Sequence, residues 1–294
     1  MTMTTRSDSQ VDTPPDDRPA SADGPVPDDA RSATRDGTPA EAQSPEQPID
    51  PEAYATSRHG NPVPAGAVAE MFDDIAPVYD RMNTLMTFRM DGRWRRAAVS
   101  AAHLSPGDAV IDVACGTGKL AAALAEQVGP FGRVFAVDLA PGMIDQAVRK
   151  NRDLVQLEFT VGDALALPVD DSAFDAATIA FGLRNLPDFL AGFRELARVV
   201  RPGGWVVCLE LSVPRPRMVG RVYHGVFRRF APMLGRLFHH KTAYSYLPDS
   251  LDGFPNPDEL SRTMLRAGLA EVSYRRLAFG AVALHRGRVP FGST

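Results

Sequence analysis

The sequence predicts an α/β protein whose mostly parallel, seven-stranded sheet closes with an antiparallel C-terminal hairpin. Three observations carry this. From residue 109 onward, short apolar runs alternate with amphipathic stretches of helical period. Four of the first five runs are mostly apolar, as strands are when helices cover both faces of a sheet. The last two runs, 271–277 and 281–285, are separated only by Ala278, Phe279 and Gly280. A parallel crossover needs a dozen or more residues, so this pair must be antiparallel.

In chain order, apolar residues three and four apart predict helices over 67–80 and 89–102. Pro106-Gly107-Asp108 is a turn. Strands are expected at 109–114, 133–138, 156–161, 174–181 and 205–211, with helices near 118–128, 141–150 and 188–199 between them. Arg201-Pro202-Gly203-Gly204 reads as a turn ahead of the fifth strand, and a helix near 256–267 leads into the hairpin.

Composition divides the chain at residue 60. Residues 1–60 hold nine prolines, twelve acids and five arginines, with few large apolar side chains. Such a segment cannot bury enough surface to offset its ordering entropy, and it is read as a disordered acidic tail of charge −7. The whole chain carries −4, so the domain at 61–294 is mildly basic, near +3. No apolar run is long enough to span a bilayer, and the N-terminus has no apolar signal region. A cytoplasmic protein is expected, with Cys115 and Cys208 as buried thiols. No metal-ligand pattern and no signature of nucleic-acid binding is read.

The chemistry concentrates at the predicted strand ends. The first strand runs through Asp112 into Gly116-Thr117-Gly118, where glycines let the backbone approach a ligand and the next helix offers free N–H groups. Gly116, Gly118 and Ala121, with Asp138 some twenty residues on, also satisfy a loose nicotinamide-binding fingerprint. Asp112 argues against that reading, because a carboxylate beside the glycine turn repels a pyrophosphate and attracts a positive amino group. Asp138 ends the second strand, placed to accept ribose hydroxyls. Asp163 and Ala164 end the third, a place that suits recognition of an adenine amino group. Three acids at the carboxyl edge of one open sheet lie where such folds bind ligands.

In order and spacing these motifs, with Pro202-Gly203-Gly204, resemble those of class I S-adenosylmethionine-dependent methyltransferases, a Rossmann-like fold. Further signals are more specific. Phe72, Tyr79-Asp80, Met82-Asn83, Met86 and Arg93-Trp94-Arg95 resemble the N-terminal signature of the menaquinone and ubiquinone C-methyltransferases. So do Phe181-Gly182-Leu183-Arg184-Asn185, Tyr244, Tyr246-Leu247, Phe254-Pro255 and the closing Val282 to Gly287. The resemblance covers about residues 66–287. Lys119, Ala180 and Ala278-Phe279-Gly280 depart from the usual family pattern.

The resemblance implies methyl transfer from S-adenosylmethionine to a ring carbon of a quinol precursor, demethylmenaquinol first, with a ubiquinone precursor or another phenolic molecule as alternatives. Asp112, Gly116, Thr117, Gly118, Asp138, Asp163 and Ala164 are then the cofactor candidates. A guanidinium does not act as a base, so the expected role of Arg184 is to stabilise a phenolate and orient a water that takes the proton. Tyr79 joins it as a catalytic candidate, and Asn83 and Asn185 as substrate contacts. Residues 215–241 carry seven basic side chains, no acid and an apolar repeat every four positions. They are expected to form a lid or a peripheral contact with the inner face of the cell membrane. A nicotinamide oxidoreductase and a non-catalytic protein of the same fold are the readings of another class.

Overall fold

The computed structural model describes residues 59–212, 250–251 and 253–291. The expected tail up to residue 58 and the basic stretch 215–241 lie outside the described residues, as do Tyr244, Tyr246 and Leu247.

Seven strands form one sheet in the order β3-β2-β1-β4-β5-β7-β6. They are β1 Ala109–Val113, β2 Arg133–Asp138, β3 Leu157–Val161, β4 Phe174–Ala180, β5 Val200–Leu211, β6 Ala270–Leu277 and β7 Val282–Arg288. The first five are parallel, and β7 runs antiparallel to both β5 and β6. Successive residues of β1 serve opposite cores, Val110 on one face and Ile111 on the other, both fully buried. That is why the strand reads as continuously apolar.

Helices α3 Asp91–Ala101 and α4 Lys119–Val128 cover the first face through Trp94, Ala98, Leu120 and Leu124. Helices α6 Phe189–Val199 and α7 Pro257–Arg266 cover the second through Phe189, Phe193, Leu196 and Leu260. Their starts are well specified. Asp188 accepts from the Ala191 N–H, and Asn256 with Glu259 forms a reciprocal capping box. Helix α5 Pro141–Lys150 begins on a proline and presents Met143 to a small third core shared with Ile75 and Met82.

Two expectations change. The helix expected at 67–80 is two helices, α1 Ala65–Ile75 and α2 Tyr79–Met86. Pro77 lies between them, and a proline inside a helix removes a hydrogen bond and clashes with the preceding turn. Arg201 to Gly204 is not a turn before β5 but part of it; Gly203 has φ +85° and the pairing with β4 shifts register between Phe174 and Ala176.

Candidate active site

The strand order reverses between β1 and β4, and the crevice outside the carboxyl ends of such strands is where ligands sit. A cavity opens there. Its floor is Ala114 and Gly116 after β1, Asp138 at the end of β2, Asp163 and Ala164 after β3, and Gly182 after β4. Val68, Ala69 and Phe72 of α1 form its apolar roof with Tyr79.

The glycine loop is tied down from beneath. Asp138 accepts from the backbone N–H of Gly116 at 2.7 Å and of Ala140 at 3.0 Å. Gly118 has φ +80°, and a Cβ there would lie 2.8 Å from both Asn151 Nδ2 and the Phe159 ring, so only glycine fits. Asp112 is 1% exposed and points under the loop, where its Oδ1 accepts from Thr178 Oγ1 at 2.6 Å across the β1–β4 pair. Its Oδ2 is buried without a hydrogen-bond partner. Burial, with the Asp138 charge adding to it, pushes the Asp112 carboxyl up to about 7 against the pull of Thr178 and Arg95. Asp138 is itself raised by burial, opposed by the N–H groups of Ala140 and Gly116. Two desolvated carboxylates therefore repel each other at adjacent strand ends. Such a place favours a cation and penalises a pyrophosphate.

The predicted residues are divided by position. Gly116, Asp138, Asp163 and Ala164 line this cavity, whereas Asp112, Thr117 and Gly118 do not. Thr117 is buried and donates instead to Asp80 Oδ1 at 2.7 Å. Lys119 pairs with Asp80 at 3.4 Å and Asp91 at 3.5 Å, and Lys150 pairs with Asp80 at 2.7 Å. This polar knot fastens α2 and α3 to the helices that follow the glycine loop.

A second cavity, larger and mostly apolar, adjoins the first. Tyr79 and Phe181 belong to both walls and form the septum between them. Asn83, Trp94, Arg95 and Arg184 face the second cavity, and Asn185 faces the first. Arg184 and Asn185 sit in a 3₁₀ turn, Leu183–Asn185, whose successive side chains point about 120° apart, so neighbours in sequence serve different walls. Arg184 is 7% exposed, and its Nη1 lies 2.6 Å from Oε1 of Glu210, which is 1% exposed. Glu210 also accepts from the backbone N–H of Arg184 and of Leu211. Sequence reasoning passed over Glu210. Its one signal is an acid alone near the end of the otherwise apolar run 205–211. Asp91, buried in the second wall and reached by Lys119 and Arg95, was missed as well.

The sheet order, the antiparallel close and the glycine loop under a cation-favouring cavity define an S-adenosylmethionine-dependent methyltransferase. The chain belongs to the ubiE/COQ5 methyltransferase family, whose model matches residues 61–289. It is 40% identical over 232 residues to a demethylmenaquinone methyltransferase of Desulfitobacterium hafniense, covering 77% of this chain and 91% of that protein. It is also 40% identical to the ubiquinone/menaquinone biosynthesis C-methyltransferase UbiE of Geobacter sulfurreducens, covering 75% of this chain and 87% of that one. Among solved structures, the [4+2]-cyclase SpnF aligns with TM-score 0.58 at 17% identity, covering 80% of this chain and all of that one. The complex of the Haloferax volcanii Trm112 methyltransferase activator with a methyltransferase aligns with TM-score 0.56 at 22% identity, covering 75% and 98%. These two likenesses establish the fold alone.

Proposed function

We propose that this protein methylates a ring carbon of demethylmenaquinol in the second cavity, using S-adenosylmethionine held in the first. The observation that carries the reading is the septum: Tyr79 and Phe181 are common to a cation-favouring cavity and a large apolar one. A reaction between a sulfonium donor and an apolar ring needs such adjoining chambers. The cofactor, when bound, supplies the electrophilic methyl group. Asp138 takes the ribose hydroxyls on the lone pairs its backbone contacts leave, Asp163 and Ala164 meet the adenine, and Asp112 compensates the positive end from beneath the loop.

An aromatic carbon becomes a good nucleophile when the neighbouring hydroxyl loses its proton. Arg184, fixed on the wall of the second cavity, stabilises the resulting oxyanion and orients the water that accepts the proton. Asn83 and Tyr79 position the ring, and Asn185 reaches the reacting region from the cofactor side. The naphthoquinol reading follows the Desulfitobacterium, Staphylococcus and Geobacillus relatives, which are demethylmenaquinone methyltransferases, while the Geobacter relative is named for both quinones.

No helix among the described residues is long and apolar enough to cross a membrane. A polyprenyl quinol resides in the bilayer, so peripheral contact is expected, with the basic stretch 215–241 as one candidate. The direct test is mass spectrometry of purified protein given demethylmenaquinol and labelled S-adenosylmethionine, paired with a quinone profile of cells lacking the gene. Label on the ring and accumulation of unmethylated quinone are expected. Absence of both overturns the reading.

A further inference from the structure

Two tight turns at the second cavity each hold a phenylalanine out in solvent. Phe88 is 75% exposed at φ +48°, and Phe279 is 94% exposed at φ +56°. Their neighbours Arg89 and Ala278 are left-handed too. A bulky side chain avoids that region, and a strained residue persists only where the surrounding structure enforces it. Here the backbone does so: Arg89 N–H donates to the Thr84 carbonyl at 3.0 Å, Met90 N–H to that of Thr87 at 2.9 Å, and Ala281 N–H to that of Ala278 at 3.0 Å.

Both rings belong to the wall of the second cavity, so the turns mark its rim. Phe88 also borders a shallow depression that it shares with Asp80, Arg81, Leu85 and Arg89; the Asp80 carboxylate there is already paired with Lys119 and Lys150. Within residues 81–96 Arg81, Arg89, Arg93 and Arg96 are all exposed. The one acid of that stretch, Asp91, is buried and paired with Lys119 and Arg95. The rim is therefore apolar at its edge and cationic beside it.

We infer that this rim docks on an anionic lipid surface, with Phe88 and Phe279 in the acyl boundary and Arg81 and Arg89 on headgroup phosphates, so that the second cavity opens toward the bilayer. The inference rests on the proposed substrate, whose isoprenoid tail lies in that bilayer. Charge and composition favour this occupant over two parts of the chain itself. The stretch 213–249 is basic through residue 241 and repels the same arginines. Residues 1–58 have the right charge but few apolar side chains to cover two phenyl rings. A bilayer with acidic headgroups supplies both complements.

The test is co-sedimentation of the full chain with phosphatidylcholine vesicles, with and without phosphatidylglycerol. Binding should require the anionic lipid and weaken with salt. Arg81→Glu with Arg89→Glu should lower the partition coefficient on the order of tenfold or more. Methylation of a tail-less soluble quinol by the same variant should stay normal. Phe88→Ser with Phe279→Ser should release the protein even at low salt. Arg194→Glu with Arg266→Glu, on the helices of the opposite sheet face, should bind as the wild type does. Undiminished binding by either rim variant, or an equal loss in the control, overturns the inference. So does a lower melting temperature of the serine variant with vesicle binding retained, which would mean the chain itself covers the rim. Vesicle binding is read without substrate, so its failure is separate from a failure to methylate quinol.

Discussion

At the scale of single residues, the Arg184–Glu210 pair sets structure and catalysis against each other. A buried pair broken on one side costs about 3–5 kcal/mol, because the remaining charge stays desolvated. Glu210→Gln should therefore lower the melting temperature clearly, read by calorimetry. Arg184→Lys keeps a cation beside Glu210 but loses the planar fork that the proposed role needs to hold an oxyanion and a water together. Its expected signature is unchanged cofactor affinity with kcat down ~10²–10³-fold; near-normal turnover would reduce Arg184 to a structural role. Asp138→Ala should weaken S-adenosylmethionine binding by ~1–3 kcal/mol in a titration, since it removes an ionised acceptor and releases the Gly116 N–H. Asp112 gives a pH signature. Its carboxyl moves from 3.8 to about 7 on folding, so between those values the folded chain holds more proton than the unfolded one. Stability then falls as pH rises through that window. Asp112→Asn should flatten the melting temperature against pH there, and an unchanged slope would assign the dependence to other groups.

At the scale of elements, the sequence was most legible where burial is two-sided. Val110 and Ile111 face opposite cores, so β1 and the parallel strands beside it stand out as apolar runs against amphipathic helices. The break at Pro77 was missed because apolar spacing continues through it from α1 into α2. The extension of β5 back to Val200 was hidden by Pro202-Gly203-Gly204, which reads as a turn until the register shift against β4 is seen. The glycine loop and the acids at strand ends were readable because local chemistry marks them. Glu210 and the Asp80–Lys119–Lys150 knot were not, since their partners arrive from elsewhere in the fold. That knot has its own test. Burial pushes Asp80 up, but the hydrogen bonds from Lys150 and Thr117 and the charge of Lys119 outweigh it and hold the carboxyl below its ordinary value. Its contribution is present above the ordinary carboxylate pKa and is lost as pH falls through the lowered one. Asp80→Ala should loosen α2, which begins at Tyr79, and raise KM for cofactor and quinol together, with a smaller loss of stability measured by urea titration. Unaltered KM values would make the knot a surface feature.

At the scale of the whole molecule, composition and contact draw the working boundary at slightly different residues. Composition ends the acidic, proline-rich stretch at residue 60. The fold already holds the chain at 59–61: the Phe189 N–H donates to the His59 carbonyl at 2.8 Å, and the Asn61 N–H to that of Leu186 at 2.7 Å. An added Cβ on Gly60 would collide with the Pro187 carbonyl, so glycine is required for this approach. Leu186 and Pro187 line the first cavity, and so does Ala65 at the start of α1. Residues 59–61 therefore join the first helix to the loop ahead of α6, whereas what precedes them has little apolar surface to contribute to a core. Two truncations follow. Removing residues 1–58 should leave the melting temperature and turnover of a soluble quinol at the full-length values. Removing residues 1–61 deletes both backbone contacts, and with each net hydrogen bond contributing about 1 kcal/mol the domain should melt earlier. Cofactor affinity should fall with it, because the roof of the cavity loses its anchor. Calorimetry and S-adenosylmethionine titration on the two products decide the matter: equal behaviour would move the boundary inward past residue 61, and a loss already at 1–58 would move it outward into the acidic stretch.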